Sequence, residues 1–182
     1  MQIDKINNLL ELFYQQYQKQ NKENIFLHSL NESKKKYSWE NVYSNINKLS
    51  EEISKYIKKG DRCLLVSENR PEWMISDLSI MLSGGITVPA YTTYTERDYE
   101  YIIDDCTPTI IIISDKIQYA KVKKIIPKKN FIKKIIFFDS VEDNNKELNL
   151  KISDIFKKNN CNYQNFFNLR IQRKDIACII YT

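Results

Sequence analysis

Glycine is scarce in this sequence, with three residues in 182, whereas an average protein has roughly 7%. The dinucleotide-binding fingerprint G-x-G-x-x-G is absent, and so is the phosphate loop that ends in Lys-Ser or Lys-Thr. Such sites need unhindered backbone N–H groups at the start of a helix. Gly84-Gly85 instead follows a helical apolar pattern, which favours a helix end and a turn. The sequence therefore excludes the common dinucleotide-binding and Walker-type enzymes.

Metal-binding and disulfide patterns are also missing. The cysteines are Cys63, Cys106, Cys161 and Cys178, without a C-x-x-C pair, and the one histidine is His28. This set forms neither a recognisable zinc site nor a disulfide framework, and we predict no catalytic or metal-binding residue in the chain. Cys63 and Cys178 each interrupt an apolar, strand-like run, so both are expected to be buried and reduced.

The sequence has no run of 18 apolar residues, and its amino terminus lacks the apolar core and cleavage site of a signal peptide. We therefore expect no transmembrane segment and a cytoplasmic location, with peripheral contact at the inner face of the membrane left open. The net charge of +5 comes mainly from lysine. Nucleic-acid readers depend on arginine and on a clustered basic face, so we predict no nucleic-acid partner.

Short apolar runs alternate with amphipathic helical patterns from residue 61 to residue 138. Strands are expected at 62–67, 86–90, 109–113 and 135–138. Pro71 lies in the opening turn of the first helix between them, and Thr95-Glu96-Arg97-Asp98 has the form of a capping box. The run at 109–113 is almost wholly apolar, which is typical of a parallel strand covered on both faces. The series predicts an α/β fold, a doubly wound and mostly parallel sheet with helices on both faces.

The flanking segments are less regular. The sequence predicts a helix within residues 4–20, a hairpin over 25–39, and a long helix that Ser38 caps and Gly60 ends. Residues 140–149 have the composition of a polar surface loop, and 154–160 suit a short helix. Residues 175–182 return to an apolar strand pattern.

Three groups of residues are candidates for function. Asn69-Arg70-Pro71-Glu72-Trp73 follows a strand at the edge where open α/β sheets bind ligands, although a strand-to-helix turn is the favoured interpretation. Asp104-Asp105 is not expected to act as a catalytic pair, because neighbours on a helix point about 100° apart. Eight lysines between residues 116 and 134 either face solvent or contact an anionic lipid or the phosphates of CoA.

Several motifs together resemble the amino-terminal part of AMP-forming acyl-CoA synthetases, in the adenylate-forming superfamily. They are Tyr37-Ser38-Trp39, Gly60-Asp61-Arg62, Asn69-Arg70-Pro71-Glu72-Trp73, Gly84-Gly85-Ile86-Thr87-Val88-Pro89 and the segment from Asp175 to Thr182. The resemblance extends from about Tyr37 to Thr182. The form of residues 69–73 is similar to that of the long-chain fatty acid branch.

The resemblance implies a function. Members of the family join a carboxylate to AMP and then to CoA, so ATP, Mg²⁺ and CoA are the implied cofactors of a full-length parent, and a fatty acid is its implied substrate. In the family a strand that ends in Tyr-Thr leads into the phosphate loop, which makes Tyr181 and Thr182 predicted nucleotide-binding residues at the leading edge of that loop. The family's other nucleotide-binding segments and its C-terminal lysine lie beyond Thr182.

We therefore expect residues 1–182 to be part of an N-terminal domain that ends just before the phosphate loop, inactive alone and without a bound cofactor. The alternative that stays open is a non-catalytic α/β module that binds a protein partner or an anionic surface.

Overall fold

The computed structural model describes residues 6–30, 34–142, 145, 147–159 and 171–182. Within them the helices are α1 (Leu9–Lys19), α2 (Trp39–Ile53), α3 (Pro71–Leu82), α4 (Glu96–Cys106), α5 (Lys116–Val122) and α6 (Ile152–Phe156). The strands are β1 (Ile25–His28), β2 (Lys36–Ser38), β3 (Arg62–Val66), β4 (Ile86–Ala90), β5 (Ile110–Ile113), β6 (Lys134–Phe137) and β7 (Asn149–Lys151). β1 and β2 form the predicted antiparallel hairpin.

The other five strands form one parallel sheet in the order β4-β3-β5-β6-β7. Successive side chains of a strand point to opposite faces, and both faces of β3 are covered. Cys63 and Leu65 pack in the core that holds α1, α2, α3 and α6. Leu64 and Val66 pack in a second core with α4 and α5. The predicted doubly wound sheet with helices on both faces is confirmed, and the four predicted strands are each correct to within one residue at either end.

The long helix α2 forms because its caps and its apolar stripe agree. Ser38 accepts a hydrogen bond from the backbone of Asn41, and the Asn41 side chain accepts one from the backbone of Ser38, which completes a capping box. Four side chains of the stripe are fully buried, namely those of Val42, Ile46, Leu49 and Ile53. Each such burial contributes roughly 1.5–3 kcal/mol. This stripe fixes α2 against α3 and the sheet.

Helix α4 is capped at both ends. Thr95 and Asp98 form the predicted capping box at its start. At its end Thr107 adopts a left-handed conformation, with φ of 44°, and the Arg62 guanidinium donates to the Cys106 carbonyl at 2.7 Å and to Thr107 Oγ1 at 2.6 Å. A cation at a helix C-terminus is favourable because the last carbonyls carry partial negative charge. Arg62 therefore joins the start of β3 to the end of α4.

The predicted strand at 175–182 is only partly formed. The segment runs parallel to β4 along its outer edge and makes one bridge, between Thr87 and Cys178. The Thr87 N–H donates to the Ala177 carbonyl at 3.1 Å, and the Ile179 N–H donates to the Thr87 carbonyl at 2.9 Å. The strand prediction is therefore correct in position and direction but wrong in extent.

The residues on either side of Thr87 explain why the pairing stops. In a parallel ladder the next N–H of β4 available to this segment would come from Pro89, which has none. In the other direction the Gly85 N–H donates to the Ile80 carbonyl at 2.9 Å, where it helps to end α3. The edge of β4 can therefore hold a neighbouring segment at one residue only.

The same edge corrects the prediction for one cysteine. Cys63 is buried, as predicted, but Cys178 is exposed. Ile176 and Ile180 are also exposed, by 62% and 60%, and alternate residues of an extended segment share one face. Within the described residues that outward face is not covered, so an apolar run did not imply burial here. Cys161 lies outside the described residues.

A fifth strand was not predicted. Residues 149–151 form β7, which pairs with β6, although the loop predicted from residue 140 reached Asn149. The three residues Asn149, Leu150 and Lys151 are too few and too polar to produce a strand pattern in the sequence. The short helix that follows begins at Ile152 and ends at Phe156, earlier than predicted.

We expect a bulky thiol reagent to label Cys178 quickly in the native chain, and Cys63 and Cys106 only on unfolding. Burial raises the pKa of both inner thiols, that of Cys106 to about 11, and prevents contact with the reagent. The measurement is mass spectrometry of a time course in a Cys161→Ser background, with a sample in urea as the control in which all three react. Native labelling of Cys63 as fast as that of Cys178 would contradict the burial of β3.

Candidate functional site

The carboxyl edge of the sheet is the place where ligands bind in open α/β folds. β4 and β5 flank β3 on opposite sides, so the strand order reverses at β3. The loops that meet at this edge follow β3, β5 and β6. They bring the 67–70 turn close to residues 114–115 and to Asp139.

Arg70 lies at the centre of this edge, with only 7% of its side chain exposed. Its Nε donates to Glu72 Oε2 at 2.9 Å, and its two terminal nitrogens donate to the Asp139 carboxylate at 3.1 and 3.0 Å. One of them also donates to Glu68 Oε1 at 3.3 Å. Burial lowers the pKa of Arg70, but the hydrogen bonds to Asp139 and Glu72 raise it by more than that. The pKa is therefore above its ordinary value, and the guanidinium stays charged.

Glu72 extends the cluster to the hairpin. Its carboxylate accepts a hydrogen bond from the Tyr37 hydroxyl at 2.9 Å and lies 3.5 Å from Lys35 Nζ. Burial opposes ionisation of Glu72, but the bonds and charge of Arg70 outweigh it, so its pKa is below the ordinary value. Burial and the nearby Glu72 raise the pKa of Tyr37, which keeps its proton. We call these six residues the Arg70 cluster: Lys35, Tyr37, Glu68, Arg70, Glu72 and Asp139.

The Arg70 cluster argues against an anion site at residues 69–73. Three carboxylates face two cations, so the cluster itself is not positively charged. All three nitrogens of the guanidinium are already bonded, and Trp73 packs against the core of α2 and α3. The structure supports the interpretation of this motif as a strand-to-helix turn, with Pro71 in the first turn of α3.

Tyr181 and Thr182 lie at the outer side of β4, away from the Arg70 cluster. The Tyr181 hydroxyl donates to Asp105 Oδ2 at 2.5 Å, and its carbonyl accepts a hydrogen bond from the Tyr94 hydroxyl at 3.1 Å. Burial and the carboxylate of Asp105 raise the pKa of Tyr181. Thr182 is exposed. Nucleotide binding by Tyr181 and Thr182 stays a prediction.

The sequence did not indicate the two residues that hold Tyr181. In the sequence Tyr94 only precedes the capping box of α4, and Asp105 is only one half of a carboxylate pair. In the structure that pair separates, because Asp104 forms an ion pair with Lys129 while Asp105 accepts from Tyr181. The two neighbouring carboxylates therefore have different partners, as expected of side chains that point about 100° apart on a helix.

The lysine-rich segment is largely engaged within the molecule. Lys121 donates to the carbonyls of Thr92 and Tyr94 at 2.6 and 3.0 Å. Four further lysines also contact groups of the chain, namely Lys123, Lys129, Lys133 and Lys134. The ion pair with Asp104 offsets the charge of Lys129, whereas a carbonyl or a ring leaves a lysine charged.

An open apolar groove of about 610 Å³ lies at the opposite, amino edge of the sheet. Its walls are the start of α1, residues 59–60, the end of α3 with the turn that follows, and residues 171–177. Lys59 Nζ and Asp175 form an ion pair at 2.6 Å on its margin. Sequence reasoning did not predict this groove, because its walls come from four distant segments.

The described residues contain neither a cluster of metal-binding side chains nor a helix that could span a membrane. Among them no three Cys, His, Asp or Glu side chains lie together as a metal would require, and His28 is exposed at the end of β1. No helix in the described part of the chain is both long and apolar enough to cross a membrane.

Comparison with known proteins identifies similar chains. The model of a family described as AMP-binding enzyme matches residues 13–182. A long-chain-fatty-acid–CoA ligase of Rattus norvegicus is 26% identical over 111 residues, which are 58% of this chain and 15% of that protein. One of Bacillus subtilis strain 168 is 36% identical over 59 residues, 32% of this chain and 10% of that protein.

Solved structures show the same fold. Coronafacic acid ligase from Pectobacterium brasiliense matches with a TM-score of 0.76 and 18% identity, over 97% of this chain and 33% of that one. ATP-bound MatB from Rhodopseudomonas palustris matches with a TM-score of 0.70 and 18% identity, over 97% and 32%. The chain thus spans about a third of these structures and 15% or less of the curated relatives described above.

Replacing Glu72 with Gln should lower the free energy of unfolding by about 3 kcal/mol at neutral pH, because it leaves the buried guanidinium of Arg70 incompletely paired. The pKa of Glu72 is lower in the folded chain than in the unfolded chain. The stabilisation that ionised Glu72 provides is therefore fully present above the pKa that Glu72 has in the unfolded chain. It is lost as the pH falls through the pKa that Glu72 has in the folded chain. The measurement is urea unfolding of the original chain and of Glu72→Gln from pH 7 to pH 3. Their free energies of unfolding should become equal at acid pH.

The matched control is Glu100→Gln, the same chemical change at an exposed position of α4, which should alter stability by less than about 0.5 kcal/mol. Equal effects of the two substitutions, or a difference independent of pH, would show that the Arg70 cluster does not stabilise the fold.

Proposed function

Because the chain belongs to the AMP-binding enzyme family, we propose that it is the amino-terminal part of a long-chain fatty acid–CoA ligase. The observation that carries the proposal is the match of long-chain fatty acid–CoA ligases to this chain. The reaction would convert a fatty acid, ATP and CoA into acyl-CoA, AMP and pyrophosphate. The fatty acid carboxylate would first displace pyrophosphate from ATP, and the CoA thiol would then displace AMP from the acyl-adenylate.

The described residues would serve this reaction as a scaffold. The Arg70 cluster holds the carboxyl edge, and Tyr94 and Asp105 hold Tyr181 at the outer side of β4. In this proposal Tyr181 and Thr182 form the leading edge of the nucleotide site, and residues 1–182 are part of the N-terminal domain. The location proposed is cytoplasmic, with peripheral membrane contact left open.

The residues that the structure describes do not fit the cofactors of the reaction. A triphosphate needs several free N–H or cationic donors, whereas Arg70 is bonded to carboxylates. Mg²⁺ needs grouped oxygen ligands, and the described part of the chain shows no group of three or more acidic, histidine or cysteine side chains that could hold a metal. ATP, Mg²⁺, CoA and the fatty acid are therefore assigned to a longer protein, and the 182-residue chain is proposed to be inactive.

The alternative is a non-catalytic module that binds a protein partner or an anionic surface, and for an anionic surface it depends on the lysines between residues 116 and 134. At least five of these eight contact the chain itself, and Lys129 is paired with Asp104. An enzyme family match over most of the chain favours the ligase proposal instead.

The purified 182-residue chain should not exchange pyrophosphate into ATP, with or without a fatty acid. Each phosphate or oxyanion donor typically carries about 3 kcal/mol of transition-state stabilisation, so the absence of several removes the site. A chain extended through the following segments of its gene should show exchange that depends on a fatty acid. The measurement is incorporation of labelled pyrophosphate into ATP.

Within the extended chain, Thr182→Ala should slow exchange at least about tenfold, whereas the control Ile180→Val should not. Exchange by the short chain would show a phosphate site in residues 1–182 and contradict the scaffold role. An extended chain that is folded but inactive with every fatty acid tested would contradict the ligase proposal.

A further inference from the structure

The groove at the amino edge of the sheet has the size and lining of a ligand site. Its volume of about 610 Å³ lies within the range of small-molecule pockets, roughly 300–1,000 Å³. Leu9, Met81 and Ile176 all line the groove, and Leu9 and Ile176 are 49% and 62% exposed. Large apolar side chains that are exposed together often mark a binding surface.

Glycine forms the floor of this groove. All three glycines of the chain, Gly60, Gly84 and Gly85, line it. Gly60 and Gly84 have φ of 88° and 81°, and the Gly60 N–H donates to the Gly84 carbonyl at 2.8 Å. A Cβ on Gly85 would lie 2.9 Å from a methyl carbon of Ile57. These positions therefore stay without side chains.

The charges of the lining select the sign of a ligand. Lys59, Arg173 and Lys174 are cationic, and Asp175, paired with Lys59, is the one acidic residue among those that line the groove. The balance is two positive charges, and Arg173 and Lys174 are exposed at the margin. An apolar surface bordered by cations is complementary to a molecule with an apolar tail and an anionic head.

We propose that this groove binds one free long-chain carboxylate, with its tail against Leu9, Met81 and Ile176 and its head between Arg173 and Lys174. Tyr181 and Thr182 do not line the groove. Binding therefore requires neither ATP nor the longer protein, and it is independent of the proposed ligase reaction.

The test is a titration of the ¹⁵N-labelled 182-residue chain with monomeric dodecanoate, followed by NMR. Glycine amides give cross-peaks in a characteristic part of the spectrum, and the chain has only three, all in the groove. We expect all three to shift together and to saturate with one binding constant.

Two pairs of variants separate the groove from nonspecific binding. Ile176→Asn should weaken dodecanoate binding about tenfold through lost apolar burial, whereas Ile180→Asn, equally exposed on the same face but outside the lining, should not. Arg173→Ala with Lys174→Ala should also weaken it about tenfold. Lys124→Ala with Lys128→Ala removes the same charge elsewhere and should leave binding unchanged.

Three results would overturn the proposal. The first is the absence of saturable shifts at the three glycines in the folded chain. The second is equal weakening by the groove variants and their controls, which would indicate general adsorption. The third is a shift of the same glycines with protein concentration alone, which would show that a second copy covers the groove. Because ATP is not involved, none of these results bears on pyrophosphate exchange.

Discussion

A buried guanidinium must be neutralised where it lies, since transferring an unpaired charge from water into a protein costs several kcal/mol. Arg70 meets this requirement with Glu68 and Glu72 beside it in sequence and with Asp139 from the end of β6. Glu72 then binds Tyr37 of the hairpin. The charge of one side chain therefore holds the β3–α3 turn, the end of β6 and the β1–β2 hairpin in one arrangement, and the position of the carboxyl edge depends on it.

The features that the sequence predicted are those with local causes. The strands β3 to β6 are apolar runs long enough to be buried on both faces, and the caps at Ser38 and Thr95 involve partners three residues away. The partners of Arg70 and Tyr181 could not be predicted, because Asp139 and Asp105 lie 69 and 76 residues away. Only the folded sheet brings such residues together.

The wrong prediction that Cys178 is buried has a similar origin. An apolar run shows that a segment can be buried, but not whether anything lies on its outer side. Pro89 was visible in the sequence, yet its effect depended on which edge of β4 its nitrogen points to, and this is fixed by the pairing of β4 with β3. The apolar groove at the amino edge was hidden for the same reason, since its walls meet only in the fold.

Pro89 also bears on how the chain avoids self-association. An edge strand with a full row of free N–H and C=O groups is a template for intermolecular pairing and for fibrils. β4 presents one such donor and acceptor pair, at Thr87, between a proline and a glycine whose N–H is already bonded. Until residues 171–182 have been synthesised, the β4 edge of the sheet can therefore recruit little of a neighbouring chain. The proline that limits pairing in the finished fold thus also limits intermolecular pairing at this edge of the nascent one.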